Sequence, residues 1–457
     1  MALVAGLAGC PDNSGVVPPI DQFFYPVSLA ASPSGNWLYV TSADFDLRYN
    51  GGTVAPVDLA CVRAAIADPS RTTCAGVPGG PALRCSADRD QAGARVCESR
   101  AFIRSAQVRR ISPYAVDSAV AQYPTRTRLY VAVRGDGSIT WFDLDDAGGL
   151  DCGAQGAGAT CSDTHRAGAD TSQSPIAARL APDPSSLSLD PERGWIFVTH
   201  QSTDPTVDPN TNATQPRASL LRDPASTGGS GAPVLLSAIG NLSPGLSDGV
   251  LLPRATGSGA RSTWVVTSRS VPFLSFFQAY PGSTALRDGQ PFLYQSSSVT
   301  VTGLNTGADS RAIVLDPDPA KRRAYIVSRL PEALLTLSLD AANPTTAVVT
   351  DARPLPGGPS RLVVRTVGGR TQLLVVSFDA RVVTVIDADE GRVLGEIFTG
   401  RGPHQAILDP SAGHPFLYLV DFLDAAVEVV DLRLPADPAN PGTYLHRVLT
   451  LAPQLPE

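Results

Sequence analysis

The chain alternates short runs of β-branched and aromatic residues with Gly, Pro and Asp turns, and one such phrase returns seven times. Its first copy reads Leu38-Tyr39-Val40-Thr41-Ser42; the aligned copies are Leu129–Val133, Ile196–His200, Trp264–Ser268, Ala324–Ser328, Leu373–Ser377 and Leu417–Asp421. Near-continuous apolar runs of this length predict strands buried on both faces. Turns precede them at Ser32-Pro33-Ser34-Gly35, Asp190–Gly194, Asp316–Pro319 and Asp409–Gly413. Asp-Pro presets a turn start, and Gly tolerates positive φ at its end.

Two clean copies, Pro359–Asp387 and Pro403–Asp431, lie in register 44 residues apart. In the last copy the pattern predicts an inner strand at His404–Leu408, a second at Phe416–Asp421, a third at Ala426–Asp431 and an outer one at Tyr444–Leu451. A period of roughly 40 to 50 residues marks propellers and solenoids, and a ring of blades leaves only short, protected edges. The expected fold is therefore all-β: a seven-bladed β-propeller of four-stranded blades over residues 26–451. Its first inner strand is expected at Pro26–Ser32 and its last outer strand at Thr443–Leu451. Both terminal blades look complete, so closure mainly by packing of whole blades, without a strand exchanged between the ends, is expected.

The Pro-Ser-Gly turn, Tyr39-Val40-Thr41-Ser42 and the following Val57-Asp58-Leu59 together resemble the YVTN-type repeat of seven-bladed propellers, which carries Asn where this chain has Ser42. The resemblance covers most of residues 26–451. It implies a fold shared by quinoprotein dehydrogenase subunits, lactonase-like enzymes, surface-layer proteins and other extracytoplasmic proteins. A fold with so many uses leaves function to be argued from a site.

Location is more legible. Leu7-Ala8-Gly9-Cys10 matches the bacterial lipobox, in which the cysteine is lipidated and becomes the first mature residue. Residues 1–9 then read as a partial lipoprotein signal and 10–25 as a tether, with 452–457 a C-terminal tail. The prefix lacks a charged segment and is shorter than a secretory signal, so an upstream start is expected. The competing reading is a lone buried or reactive cysteine. Six further cysteines fall in two insertions, Cys61, Cys74, Cys85 and Cys97 within 60–101, and Cys152 with Cys161 within 146–173. Sequence proximity pairs Cys61 with Cys74, Cys85 with Cys97, and Cys152 with Cys161, although four cysteines allow three pairings. A zinc site is the alternative for the first cluster, which has neither CxxC spacing nor a nearby histidine. Closing the Cys152 loop would contribute about 2 to 3 kcal/mol in the chain-entropy account.

Composition narrows the partners. A net charge of −7 without a basic block excludes a nucleic-acid footprint. No apolar run is long enough to span a bilayer, so membrane contact is expected only through the lipid. Of the 36 basic residues only Lys321 is lysine, a skew attributed to GC-rich coding. No nucleophile elbow, HExxH, phosphate loop or haem motif occurs, and no cofactor or metal is expected. Asp44, Asp46 and Asn50, or Asp204 and Asp208, imitate calcium loops without the full ligand series. Asp58, Asp143, Asp387 and Asp431 recur with the repeat, as turn or cap residues do.

One register deserves weight in the site assignment. The residue following the aligned phrase is Ala43, Arg134, Gln201, Arg269, Arg329, Phe378 and Phe422 in turn, so the fold gathers three arginines on one rim. Asp136, His200, Asp379 and Asp421 neighbour that step, and His404 opens an inner strand nearby. Convergent polar groups at the mouth of a closed β architecture define a candidate ligand site. Alternatively, the arginines pair with Asp136, Asp379 and Asp421 as rim salt bridges. The expected function is a non-catalytic extracytoplasmic scaffold binding a protein, a glycan or a small anion. The alternative, implied by the resemblance, is a lactonase-like or quinoprotein dehydrogenase-like enzyme using His200, His404 and the acids at the channel mouth.

Overall fold

The computed structural model describes residues 16–455 apart from 75–80, 170–178, 202–216, 241, 243, 255–260, 283–288, 302–307, 341–342, 344, 412 and 434–445. The lipobox, Cys10 included, and the Asp204/Asp208 loop lie outside the described residues. Seven antiparallel sheets follow one another in chain order. Their inner strands are Pro26–Ala31, Ala115–Gln122, Pro184–Asp190, Leu246–Leu251, Ser310–Leu315, Pro359–Val367 and Pro403–Leu408. Neighbouring inner strands touch, and the seventh touches the first, which closes a seven-bladed ring.

The doubly apolar second strands explain where the core sits. Successive side chains of a strand point to opposite faces, so each second strand feeds two seams. Tyr39 packs toward blade 2 with Leu129 and Phe142, whereas Leu38 and Val40 pack toward blade 7 with Tyr418 and Val420. Seven apolar clusters result, one in each seam between adjacent blades. The acids of the repeat act locally. Turn residue Asp409 accepts the Tyr418 hydroxyl at 2.6 Å and Asp316 accepts that of Tyr325 at 2.7 Å. Asp58 caps the helix Leu59–Ala67 through the Cys61 amide, and Asp387 and Asp431 accept the turn amides of Asp389 and Arg433. Asp143 pairs with Arg126 and Arg128. Asp44 and Asp46 accept the Tyr49 and Arg48 amides, and Asn50 accepts from Arg110.

The last described strand, His446–Ala452, is the fourth strand of blade 7, and Pro26–Ala31 is the first of blade 1. Among the described residues no strand is exchanged between the ends, and a strap adds to the packing of whole blades. The first insertion contributes strands Cys85–Ala87 and Arg95–Glu98, and the latter pairs in parallel with the C-terminal strand, Leu449 opposite Arg95 and Leu451 opposite Cys97. This strap ties blade 1 to blade 7. The second insertion does the same for blades 1 and 2: Ala159–Thr160 pairs with Arg109–Ile111 of blade 1, while Leu150–Asp151 and Arg166–Ala167 both pair with the third strand of blade 2, Ser138–Leu144. Disulfides Cys61–Cys74, Cys85–Cys97 and Cys152–Cys161 staple these insertions. Three disulfides suggest an oxidising, extracytoplasmic environment. Among the described residues no helix is long and apolar enough to cross a membrane.

Candidate binding site at the channel mouth

One backbone bond, made seven times, builds the rim. The residue after each second strand donates its amide to the carbonyl just ahead of the same blade's inner strand: Ala43 to Tyr25, Arg134 to Tyr114, Gln201 to Asp183, Arg269 to Gly245, Arg329 to Asp309, Phe378 to Gly358 and Phe422 to Gly402, all at 2.8–3.0 Å. Tyr25, Tyr114, Asp183, Gly245, Gly358 and Gly402 hold positive φ at this step. Glycine adopts that conformation freely, whereas a tyrosine there is uncommon and strained. All seven rim residues line a mouth of two adjoining cavities, about 270 and 150 Å³.

The floor comes from the inner strands. Each inner strand shifts register against its neighbour just after its first residue, freeing one residue, or two in blade 4. A bulge re-aims a side chain out of the ladder. Val27, Val116, Ser185, Ser247, Arg311, Ser360 and His404 occupy these positions, and all line the cavities. One step deeper, side chains cross-link the blades. Asp117 accepts the Leu187 amide at 2.9 Å, Asp248 the Ile313 amide at 3.1 Å and Gln405 the Leu29 amide at 2.5 Å, each from the next blade. Burial pushes the Asp117 carboxyl up to about 6, against the attraction of Arg361.

Charge is divided around this mouth. The rim arginines are ion-paired: Arg134 with Asp183 at 2.7 Å, Arg269 with Asp309 at 3.2 Å and Arg329 with Asp379 at 3.4 Å. Two of these partners differ from the expected Asp136 and Asp421, because each arginine reaches forward to an acid of the following blade. Arg311 and Arg361, on the floor, belong to the same cluster and were not legible from the rim register. Arg311 shares Asp309 at 2.6 Å, and burial beside Arg269 and Arg329 lowers its guanidinium to about 10. The Nε atoms of Arg311 and Arg329 are buried without a hydrogen-bond partner. Arg361 lines the smaller cavity, and Asp117 is the acid whose charge it opposes. An alignment of inner strands on their second and third residues would have exposed both floor arginines.

The opposite side is aromatic. Ring centroids lie 6.4 Å apart for Phe378 and Phe422, 5.6 Å for Phe45 and Phe422, 6.1 Å for Phe45 and Tyr114, and 5.0 Å for Tyr25 and Phe422. His404 stands between the two sides, 6.0 Å from Phe422. Its Nδ1–H donates to the Val27 carbonyl at 2.8 Å. Burial and the positive charge of Arg361, Arg311 and Arg329 lower it to about 4, so at neutral pH it is an uncharged ring with Nε2 left as an acceptor.

Three of the remaining expected site residues, His200, Asp136 and Asp421, sit elsewhere. His200 is fully buried, bonded to the Pro182 carbonyl and the Ser219 hydroxyl, and lines neither cavity. Asp136 accepts from Ser112 and Arg166 and anchors the second insertion. Asp421 lies in a separate cleft of about 540 Å³ against the first insertion. There burial and the neighbouring Glu428 carboxyl hold it protonated well above the usual range. Asp379 is solvent-exposed on the rim beside Arg329. Among the described residues no group of acids, histidines or cysteines is arranged to hold a metal ion.

Fold and mouth together define a seven-bladed propeller with a half-cationic, half-aromatic funnel at one end of its axis. In fold the chain is similar to a Bacteroides uniformis protein ascribed to the 6-phosphogluconolactonases, at 16% identity and TM-score 0.50 over 86% of this chain and 88% of that one. It is likewise similar to hydrazine synthase of Kuenenia stuttgartiensis, at 12% identity and TM-score 0.54 over 94% of this chain and all of that one. No protein-family model matches the chain, and no curated protein matches it in sequence.

Proposed function

We propose that this protein is an extracytoplasmic, lipid-anchored propeller that binds a small anion at the channel mouth without transforming it. The observation that carries this reading is the floor: Arg311 and Arg361 line one cavity together, beside Arg134 and Arg269 of the rim. Forked guanidinium donors favour an oxyanion over a neutral ligand. Carboxylates already meet the three rim arginines and Arg311, which leaves Arg361 as the arginine expected to matter most. The lactonase-like or dehydrogenase-like alternative draws on His200, His404 and the acids of the mouth. His200 is committed to internal hydrogen bonds, and a His404 imidazole held near 4 is a weak proton acceptor.

The test is calorimetric titration of acetate, phosphate and sulfate against the wild type, Arg361→Ala and the Arg269→Ala, Arg329→Ala pair. Affinity is expected to fall with salt and to drop most for Arg361→Ala. Equal binding by all three proteins, or none by any, removes the anion site.

A further inference from the structure

We propose that the ligand is a small aryl oxyanion: a flat aromatic body bearing one carboxylate, phosphate or sulfonate. This rests on the anion reading above and specifies what the anion is attached to.

The floor arginines face only part of the funnel. Phe378, Phe422, Phe45 and Tyr114 line the rest of the larger cavity, with Val27, Ala43, Ala115 and Val116 between them. Phe45 is 59% exposed, so it offers apolar area to a ligand on the aromatic side. Its rings meet at steep angles, Phe45 at 78° to Phe422 and 89° to Tyr114. Edge-to-face walls of this kind present both faces and edges to an inserted ring, the arrangement aromatic pairs prefer. The backbone supports the same assignment: Tyr25 and Tyr114 stand at φ 45° and 60°, where Gly245, Gly358 and Gly402 serve other blades. Strain retained at bulky residues marks a position held for its side chain, and here both side chains are aromatic rings of this arc.

The two halves join at Arg329, whose guanidinium carbon lies 5.7 Å from the Phe378 ring centre. A ligand with its oxyanion over Arg311 and Arg361 therefore has its body directed along Phe378 and Phe422. About 270 Å³ is below the usual range for drug-sized ligands, which limits the body to one or two fused rings.

Binding of 2-naphthoate, acetate, 2-naphthalenemethanol and 2-naphthylmethylamine by the full protein separates these requirements. Naphthoate is expected to bind at least about tenfold more tightly than acetate or the alcohol, and the amine not to bind. Phe422→Leu should remove most of naphthoate's advantage over acetate, with Phe378→Leu as a second variant should the first fold poorly. Arg361→Ala should weaken both anions. If acetate and naphthoate bind equally, the aryl specificity is overturned while the anion site stands. If the amine and the alcohol bind as well as naphthoate, the mouth is an apolar pocket and both readings fall; if neither anion binds, the anion site itself fails.

Discussion

Arg128 and Asp223 form an ion pair with no solvent contact at either side chain. The Arg128 Nη1 lies 2.8 and 2.9 Å from the two Asp223 carboxylate oxygens, and both residues are fully buried between blades 2 and 3. Two charges survive there because each is satisfied several times over. Arg128 also donates to Asp143 and to the Gly231 and Ser230 carbonyls and lies 4.0 Å over the Trp141 ring, while Asp223 accepts from the Ala225 amide and the Tyr130 hydroxyl. The pair joins a rim-distant seam and takes no part in the mouth.

Removing Arg128 leaves the Asp223 carboxylate buried without its counter-charge, whereas Arg128 without Asp223 keeps Asp143. Arg128→Ala is therefore expected to cost about 3 to 5 kcal/mol, and replacing both residues with apolar side chains of similar volume should cost much less. Urea unfolding of the single and double variants checks this. Equal losses would mean the seam depends on shape and not on uncompensated charge.

His200 sets a pH dependence. Burial lowers it to about 4 from an ordinary 6.5, so the unfolded chain binds a proton that the folded one refuses between those values. Its stabilising contribution is present above pH 6.5 and is lost as pH falls toward 4. Asp117, raised to about 6, acts oppositely over part of that window, its contribution fading as pH rises. His200→Gln should flatten the acid limb of a thermal-stability profile, recovering up to about 3 kcal/mol of the pH-dependent loss. An unchanged slope would place the acid sensitivity elsewhere.

What the sequence disclosed follows from how each feature is encoded. The second strands were legible because both faces are buried, so seven runs must all be apolar. Inner strands are not: their freed positions face a channel where Val27, Ser185, Arg311 and His404 serve equally, which hid the floor arginines. Cysteine pairs closed over 13, 12 and 9 residues are local, and proximity was enough to pair them. The acids that meet Arg134 and Arg269 lie 49 and 40 residues ahead, in the next blade, and only ring geometry brings them together. The strap is harder still, since four residues at Arg95–Glu98 find a strand more than three hundred positions away with no local signal.

Lipid attachment has a direct test in the full-length precursor. Cys10→Ser, expressed in a bacterial host, should move the protein from the membrane fraction to the soluble fraction with its thermal transition intact. A single acyl signal holds only weakly and stable anchoring needs more than one chain, so mass spectrometry of the mature N-terminus should find several. A substituted protein that stays with the membrane is held by another surface.

The strap predicts how the ring opens. Arg95–Glu98 holds the C-terminal strand by a parallel ladder, and Cys85–Cys97 holds the strap's own hairpin. Arg447 of the C-terminal strand adds an ion pair to Asp88 at 2.8 Å, in the turn of that hairpin. Replacing Cys85 and Cys97 with serine should cost about 2 to 3 kcal/mol in loop entropy, and the loss should concentrate at one seam. Hydrogen exchange should quicken at Val96 and at Leu449–Leu451, while the second strands of blades 3 to 5 keep their protection, because they share no seam with the strap. Uniform loosening of all seven blades would mean the ring opens as one unit. Unchanged exchange at Leu449–Leu451 would mean that antiparallel pairing with Ala426–Asp431 alone secures the last strand, and the strap would be a passenger on the closed ring.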